Sequence, residues 1–196
     1  MNSLLYIHGF NSSERSHKAL VLSEAMAEIG KAGGFLSPRL PWQPAQAIAL
    51  LEEIIGSYLE THGAGTMTLV GSSLGGFYAC YLAEKFQIKA VLVNPAMQAP
   101  RLLVDHVGAQ YNPYTDEHYE LTHEHMDELS TLVISQPTPE RYWLMLQEGD
   151  EVLDYRVALS AFPQIGKLTC EANGDHRFIG FERFASDILH FAGIKV

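Results

Sequence analysis

The residues most suggestive of chemistry form the pattern Gly71-Ser72-Ser73-Leu74-Gly75, in which a central serine is flanked by glycines. A serine hydroxyl is a weak nucleophile, so an enzyme must expose it, pair it with a base and stabilise the resulting oxyanion. A G-x-S-x-G pattern exposes the serine when it lies on a sharp turn between a strand and a helix. An apolar run at residues 67–70 precedes this pattern, and an amphipathic stretch at 74–86 follows it. The sequence therefore predicts Ser73 as a nucleophile on a strand-to-helix turn.

Two further residues that such chemistry requires follow later predicted strands. His176 comes after the sixth strand and is the candidate general base, which takes the serine proton and later gives it to the leaving group. Asp150 comes after the fifth strand and is the candidate acid, which orients the imidazole and stabilises its charged form. Because ligands bind at the carboxyl ends of parallel strands, we expect both side chains to meet Ser73 there.

Three other acidic residues compete with Asp150 for the role of the acid. Glu151 is its direct neighbour and stays an alternative. Asp154 precedes a predicted helix, where aspartate commonly caps the first turn. Asp175 adjoins His176 in the chain and is poorly placed to reach its ring. The sequence favours Asp150.

Short apolar runs alternate with longer helical patterns along the whole chain. The predicted strands are residues 4–8, 34–37, 67–71, 90–94, 142–147 and 167–171. The predicted helices are residues 14–29, 45–60, 74–86, 155–162 and 181–191. This alternation predicts a mostly parallel sheet of about six strands with helices on both faces. The continuous apolar runs are typical of strands that are buried on both sides.

Residues 95–140 break this rhythm, because they contain no clear core strand. We expect residues 97–140 to form a small lid-like insertion over the site, here called the insertion, within a single domain that spans residues 1–196. Its histidines His118, His123 and His125 alternate with carboxylates, as on a solvated helix, and no H-E-x-x-H pattern is present. We therefore predict no metal site and no cofactor.

The composition limits the partners of the chain. With 196 residues, a net charge of −10 and a pI near 5.3, the chain lacks the basic surface that nucleic acids and anionic membranes require. No signal peptide or membrane span is visible, which predicts a cytoplasmic protein. Cys80 and Cys170 are too few for a disulfide framework, and both are predicted to be buried thiols.

The chain resembles the α/β-hydrolase superfamily and, within it, the small bacterial YqiA-like esterases. The order Ser, Asp, His along the chain is the order of that superfamily. The most specific segments are Leu5-Tyr-Ile-His-Gly-Phe-Asn-Ser-Ser13, Val70-Gly-Ser-Ser-Leu-Gly-Gly-Phe-Tyr-Ala79 and Gly149-Asp-Glu-Val-Leu-Asp-Tyr155. Val93-Asn-Pro-Ala96, Asn112-Pro-Tyr-Thr115 and Asp175-His-Arg-Phe178 extend the resemblance over almost the whole chain. One departure is Asn173-Gly174-Asp175-His176, where the family pattern has Gly-Gly-Asn-His.

The resemblance implies a three-layer α/β-hydrolase fold and a serine esterase that hydrolyses small-molecule esters or thioesters through an acyl-enzyme. It implies an oxyanion hole formed by the backbone N–H groups of Leu74 and Phe10, with Asn11 as the alternative to Phe10. Two other functions stay open: cleavage of a carbon–carbon bond or a lyase reaction by the same three residues, and non-catalytic binding of a small molecule. The presence of Ser73, Asp150 and His176 together argues against the binder.

Overall fold

The computed structural model describes residues 2–195 and is built around a six-stranded parallel sheet. The described residues form the strands β1 (Ser3–Ile7), β2 (Phe35–Leu36), β3 (Met67–Ser72), β4 (Lys89–Val93), β5 (Gly108–Asn112), β6 (Glu117–Leu121), β7 (Tyr142–Gln147) and β8 (Lys167–Glu171). The main sheet has the order β2-β1-β3-β4-β7-β8, and every neighbouring pair in it is parallel. Its strands match the six predicted ones closely, so the predicted fold class is confirmed.

The helices cover both faces of this sheet. They are α1 (His17–Glu28), α2 (Pro44–His62), α3 (Leu74–Phe86), α4 (Ala99–Leu103), α5 (His123–Ser130), α6 (Tyr155–Ala161) and α7 (Ala185–Phe191). The longest, α2, begins at a proline, whose fixed φ suits the first helical turn, and is followed by Gly63 with φ 91°. Within residues 2–195, none of the helices combines the length and the apolar character that crossing a membrane would require.

Alternating side chains of the strands divide the core into two halves. In β4, Ala90 and Leu92 pack on the side that is covered by α2 and α3. Val91 and Val93 point to the opposite side and pack with residues of α1 and α7. Because both sides of each central strand are buried, these strands are mostly apolar, which is why their sequences show no regular polar alternation.

The strand order reverses between β1 and β3. The chain leaves β1 for its outer neighbour β2, crosses back to β3, and then adds β4, β7 and β8 on the other side. Such a reversal opens a crevice at the carboxyl ends of the two central strands, where open α/β sheets bind their ligands. Ser73 follows β3 and the loop that begins at His8 follows β1, so both lie at this crevice.

The insertion contains α4, an antiparallel hairpin of β5 and β6, and α5. The hairpin strands pair only with each other, in agreement with the predicted absence of a core strand. Leu121, Met126 and Leu129 are nevertheless buried in the main core. The second half of the insertion is therefore anchored in the core and does not simply lie over the site.

One cysteine prediction is wrong. Cys80 is buried in α3, as predicted, but Cys170 is exposed. The reason is that β8 lies at the edge of the sheet, where Leu168 is also 46% exposed. An apolar strand pattern predicts burial only where neighbouring elements cover both faces of the strand.

Two glycines allow β1, β3 and α3 to approach one another without side chains between them. A Cβ atom on Gly71 would overlap the carbonyl of Gly75, and a Cβ atom on Gly75 would overlap the carbonyl of Ile7. The main chains themselves form this contact, so neither neighbour can give way by changing a rotamer. The two glycines of the G-x-S-x-G pattern therefore permit this close approach of strand and helix.

We predict that Gly75→Ala destabilises the fold by about 3 kcal/mol, because the added methyl group separates β1 from α3. Gly56→Ala is the matched control, since Gly56 is also a helix residue but has open space around its Cβ position. This control is expected to stabilise the protein by about 0.5–1 kcal/mol through helix propensity. Urea unfolding of both variants measures the difference. Equal stabilities would contradict the packing described here.

Candidate active site

The turn between β3 and α3 holds Ser73 in a strained backbone conformation. Its φ and ψ are 55° and −121°, a region that side-chain-bearing residues rarely adopt. The Ser73 amide donates to the carbonyl of Val93 at 3.1 Å, and its carbonyl accepts from the amides of Gly76 and Ala96 at 2.9 and 3.0 Å. These bonds to β4 and α3 fix the turn, and Ser73 lines an open cavity.

His176 and Asp150 form a close pair at the same edge of the sheet. The histidine Nδ1 lies 2.8 Å from Oδ2 and 3.0 Å from Oδ1 of the aspartate. The side chain of Asp150 is only 2% exposed, and that of His176 is 21% exposed. Oδ1 of Asp150 also accepts from the amides of Val152 and Leu153 at 2.9 and 2.8 Å. An ionised carboxylate can only accept, so the pair holds the proton of the imidazole on Nδ1 and leaves Nε2 as the free base.

The other three acidic candidates have different partners. Asp154 caps α6, where its side chain accepts from the amide of Arg156 at 3.0 Å, which confirms its predicted capping role. Glu151 accepts from the backbone amide of His176 at 3.0 Å and does not contact its ring. Asp175 makes no hydrogen bond to the ring within residues 2–195. Of the four acids, Asp150 alone is hydrogen-bonded to the imidazole.

Ser73 and His176 line the same cavity, although no hydrogen bond joins their side chains within the described chain. Such bonds are often long without substrate and tighten when it binds. The cavity has a volume of about 450 Å³ and a largely apolar wall. The part of the insertion that lines it is α4 and the turn after it, from Ala99 to His106. None of the hairpin tyrosines is among its lining residues.

The side chain of Gln147, at the end of β7, holds the loop that carries His176. Its Oε1 accepts from the amides of Asp175 and Ile179 at 3.1 and 2.8 Å. Its Nε2 donates to the carboxylate of Glu171 and to the carbonyl of Ile179, both at 2.9 Å. Gln147 is 2% exposed, so these four bonds form in a dry environment where each unmade bond is costly.

Asn94, at the end of β4, supports the same loop from the other side. Its Nδ2 donates to the carbonyls of Asp175 and His176 at 3.1 and 3.3 Å, and its Oδ1 accepts from the amide of Gln147 at 3.0 Å. Sequence reasoning missed both amides. The available signal was a polar residue at the carboxyl end of each of two buried strands: Gln147 is the last residue of β7, and Asn94 directly follows β4 within the motif Val93-Asn-Pro-Ala96.

Residues 173–176, where the chain departs from the family pattern, belong to the loop that Gln147 and Asn94 hold in place. Gly174 has φ 82°, and a Cβ atom there would overlap the side-chain amide of Gln147. A side chain at position 174 would therefore displace Gln147, which gives the glycine a steric reason. Asn173 replaces the other glycine and adopts φ 63°, which asparagine tolerates better than most residues.

The loop after β1 lies directly against Ser73. A Cβ atom on Gly9 would be 3.2 Å from the Cβ of Ser73. Buried His8 fixes this loop, because its Nδ1 lies 3.0 Å from the Gly9 carbonyl and its Nε2 accepts from the amide of Leu40 at 3.3 Å. Burial lowers the pKa of His8, in keeping with a neutral ring that donates from one nitrogen and accepts at the other.

Phe10 and Leu74, the predicted oxyanion-hole residues, both line the cavity beside Ser73. Neither of their backbone amides has an acceptor within residues 2–195. Both donors are therefore free to bind a developing negative charge. Their role in catalysis stays a prediction.

The hairpin of the insertion secures the far side of this loop. The hydroxyl of Tyr119 donates to Oδ1 of Asn11 at 2.6 Å, and Nδ2 of Asn112 donates to the carbonyl of Ser12 at 2.9 Å. Trp42 stacks on Tyr119 with ring centroids 4.5 Å apart. The insertion thus contacts the loop after β1, which carries Phe10, from outside the cavity that Ser73 lines. Sequence reasoning did not foresee these contacts.

The insertion histidines have separate surroundings. His118 is exposed and stacks on Tyr111, whereas His125 is half-buried and accepts from the amide of Thr122 at 2.9 Å in a capping box. Across residues 2–195 no three His, Cys, Asp or Glu side chains are grouped so that they could hold a metal ion.

Comparison with known proteins identifies the family. A family model described as "Uncharacterised protein family (UPF0227)" matches residues 3–193, so the chain belongs to this family. This match confirms the family resemblance of the sequence.

Several solved structures share the fold over nearly the whole chain. Est1E from Butyrivibrio proteoclasticus, solved with ferulic acid bound, is 12% identical with a TM-score of 0.72, and the match covers 97% of this chain and 88% of that one. Mouse alpha/beta hydrolase domain-containing protein 10 is 17% identical with a TM-score of 0.68, covering 97% and 89%. The esterase domain of a Rhodothermus marinus protein is 15% identical with a TM-score of 0.68, covering 97% and 86%. At these identities the likeness shows the α/β-hydrolase fold.

We predict that Gln147→Met loosens the loop that carries His176, because the thioether keeps the volume but cannot make the four hydrogen bonds. Hydrogen–deuterium exchange should become at least about tenfold faster at the amides of Asp175 and Ile179, while β7 keeps its protection. Gln164→Met, at an exposed position, is the matched control. Unchanged exchange in the Gln147 variant would show that the loop is held by other contacts.

Proposed function

We propose that this UPF0227 chain is a serine esterase that hydrolyses carboxylic esters or thioesters through an acyl-enzyme. The observation that carries the proposal is the hydrogen-bonded pair of His176 and Asp150, which opens onto the same cavity as Ser73 on its strained turn. A nucleophile, a base and an orienting acid are the three groups that this chemistry needs.

In the first half-reaction Ser73 Oγ attacks the carbonyl carbon of the ester, and its proton passes to Nε2 of His176. The bond between the carbonyl carbon and the leaving oxygen or sulfur then breaks, and His176 returns the proton to the departing group. Buried Asp150 keeps the second imidazole proton on Nδ1 and stabilises the imidazolium while it is charged.

In the second half-reaction water attacks the acyl-enzyme and gives a proton to His176. The bond to Ser73 Oγ breaks, the serine recovers the proton, and the carboxylic acid leaves. The free amides of Phe10 and Leu74 support this scheme, since each tetrahedral intermediate places a negative oxygen beside Ser73.

The apolar lining of the cavity favours an apolar acyl group as the part of the substrate that binds there. Its wall includes Ala96, Ala99, Leu102, Leu103 and Leu153. Esterases occur by name among the similar structures, including Est1E and the Rhodothermus marinus esterase domain. Tyr111, Tyr114 and Tyr119 of the hairpin are outside this wall, so a role for the insertion in substrate selection would come through α4.

We predict that Ser73→Ala lowers kcat for p-nitrophenyl butyrate by about 10⁴- to 10⁶-fold without unfolding the protein, because the remaining groups cannot replace the nucleophile. Ser57→Ala, on an exposed face of α2, is the control and should keep the parental rate. Hydrolysis is followed by p-nitrophenolate release, and circular dichroism checks the fold. A folded Ser73→Ala protein with most of its activity would contradict the proposal.

We predict that Asp150→Asn lowers kcat by about 10⁴-fold, since the amide favours the wrong imidazole tautomer. Asp154→Asn and Asp175→Asn remove the same charge from residues that do not contact the ring, and each should lose far less activity. Steady-state kinetics of the three variants on one ester makes the comparison. If Asp154→Asn were the most damaging, the acid would have to be reassigned.

A further inference from the structure

A second cavity, here called the basic cavity, lies between the start of α1 and the loop that carries His176. Its volume is about 440 Å³. Four of its lining side chains are basic, namely Arg15, His17, Lys18 and Arg177, and none of its described lining residues is acidic. The chain has only 13 Lys and Arg residues against 23 Asp and Glu, so this concentration of positive charge runs against its overall balance.

The two guanidinium groups of the basic cavity are available to a ligand. Arg15 and Arg177 are exposed, and neither takes part in an ion pair within residues 2–195. His17 lies 3.9 Å from the carboxylate of Glu182. A planar guanidinium binds an oxyanion through two parallel hydrogen bonds, and two such groups on one cavity suit a ligand with several charged oxygens.

Lys18 places a further cation in a buried position. The residue is 8% exposed, and its Nζ donates to the carbonyl of Arg177 at 2.9 Å. Burial lowers the pKa of Lys18 to about 8, against the opposing effect of the carboxylate of Asp175. A bound anion would stabilise the ammonium form, because no carboxylate is hydrogen-bonded to it in the described chain.

The first turn of α1 adds the positive end of a helix dipole. Ser16 occupies the N-cap position, but its side chain does not cap the helix. Its hydroxyl donates instead to the hydroxyl of Tyr6 at 3.1 Å. Within residues 2–195 the amides of His17 and Lys18, two residues that line the cavity, have no acceptor, and the positive end of the helix dipole favours negative charge there.

The basic cavity adjoins the candidate active site. Arg177 directly follows His176 in the chain, and Ser12, which also lines the basic cavity, belongs to the same loop as Phe10. The charge of Asp150 also acts on Lys18. The loop after β1 and the loop that carries His176 thus contribute residues both to the cavity that Ser73 lines and to the basic cavity.

We propose that the basic cavity binds a phosphate group. Two sources would supply it: the leaving alcohol or thiol of the substrate, or a free phosphate that acts on the enzyme from outside the reaction. The first source rests on the proposed esterase function, whereas phosphate binding itself does not.

The binding experiment titrates the protein with inorganic phosphate at constant ionic strength, with chloride as the replaced anion, and follows amide chemical shifts by NMR. We expect saturable shifts at His17, Lys18 and Arg177. Arg15→Gln and Arg177→Gln should each weaken the affinity by about fivefold or more. Arg156→Gln, which removes the same charge from α6 outside the cavity, should leave it unchanged.

The kinetic experiment compares two butyrate esters that differ only in a phosphate group on the alcohol. If the phosphate belongs to the leaving group of the substrate, kcat/KM of the native protein should be about tenfold higher for the phosphorylated ester. Arg177→Gln should lose most of this preference. The ratio of kcat/KM for the two esters is compared between the variants. A general loss of activity lowers both values and leaves this ratio unchanged.

The combined outcomes separate the possibilities. Saturable phosphate binding without a preference for the phosphorylated ester assigns the cavity to a free anion. Saturable binding that is equally strong in both arginine variants overturns the proposal, and so does the absence of both binding and preference. A protein that binds phosphate at these residues but hydrolyses neither ester contradicts the esterase function and leaves the anion site standing.

Discussion

The contact of β1, β3 and α3 at Gly71 and Gly75 is the constraint on which the rest of the structure depends. Because no side chain separates these elements, the turn between β3 and α3 must be sharp, and Ser73 must accept a positive φ. The same contact brings the loop after β1 to within van der Waals distance of the serine. The position of Ser73 at the cavity and the nearness of the loop that carries Phe10 therefore both result from one packing requirement.

His176, the proposed base, comes from the distant edge of the sheet. His176 follows β8, which β4 and β7 separate from β3, and it is held in place by polar groups at the ends of those two intervening strands. Asn94 and Gln147 bind the backbone of its loop, while Asp150 binds its ring. Buried amide side chains are costly unless every hydrogen bond is made, so this arrangement favours a single position of the imidazole.

The sequence predicts the parts of this arrangement that depend on local pattern. Apolar runs identify the six strands of the main sheet, and Ser73 and His176 are predicted from a motif and from their order in the chain. The hydrogen-bond partners of Asn94 and Gln147 have no local signal, because these bonds join residues 81 and 28 positions apart. The contact of Tyr119 with Asn11 spans 108 positions and comes from a polar hairpin without apolar periodicity. The exposure of Cys170 depends on the position of its strand in the sheet, which a strand pattern alone does not reveal.

The central claim is that the fold activates Ser73, and covalent labelling of the native protein tests it most directly. A fluorophosphonate probe reacts with serines that a neighbouring base makes nucleophilic. The account predicts one adduct per chain, mapped by peptide mass spectrometry to Ser73, and no adduct at the adjacent Ser72. A folded native protein that takes up no label, or carries it on another serine, would contradict the account.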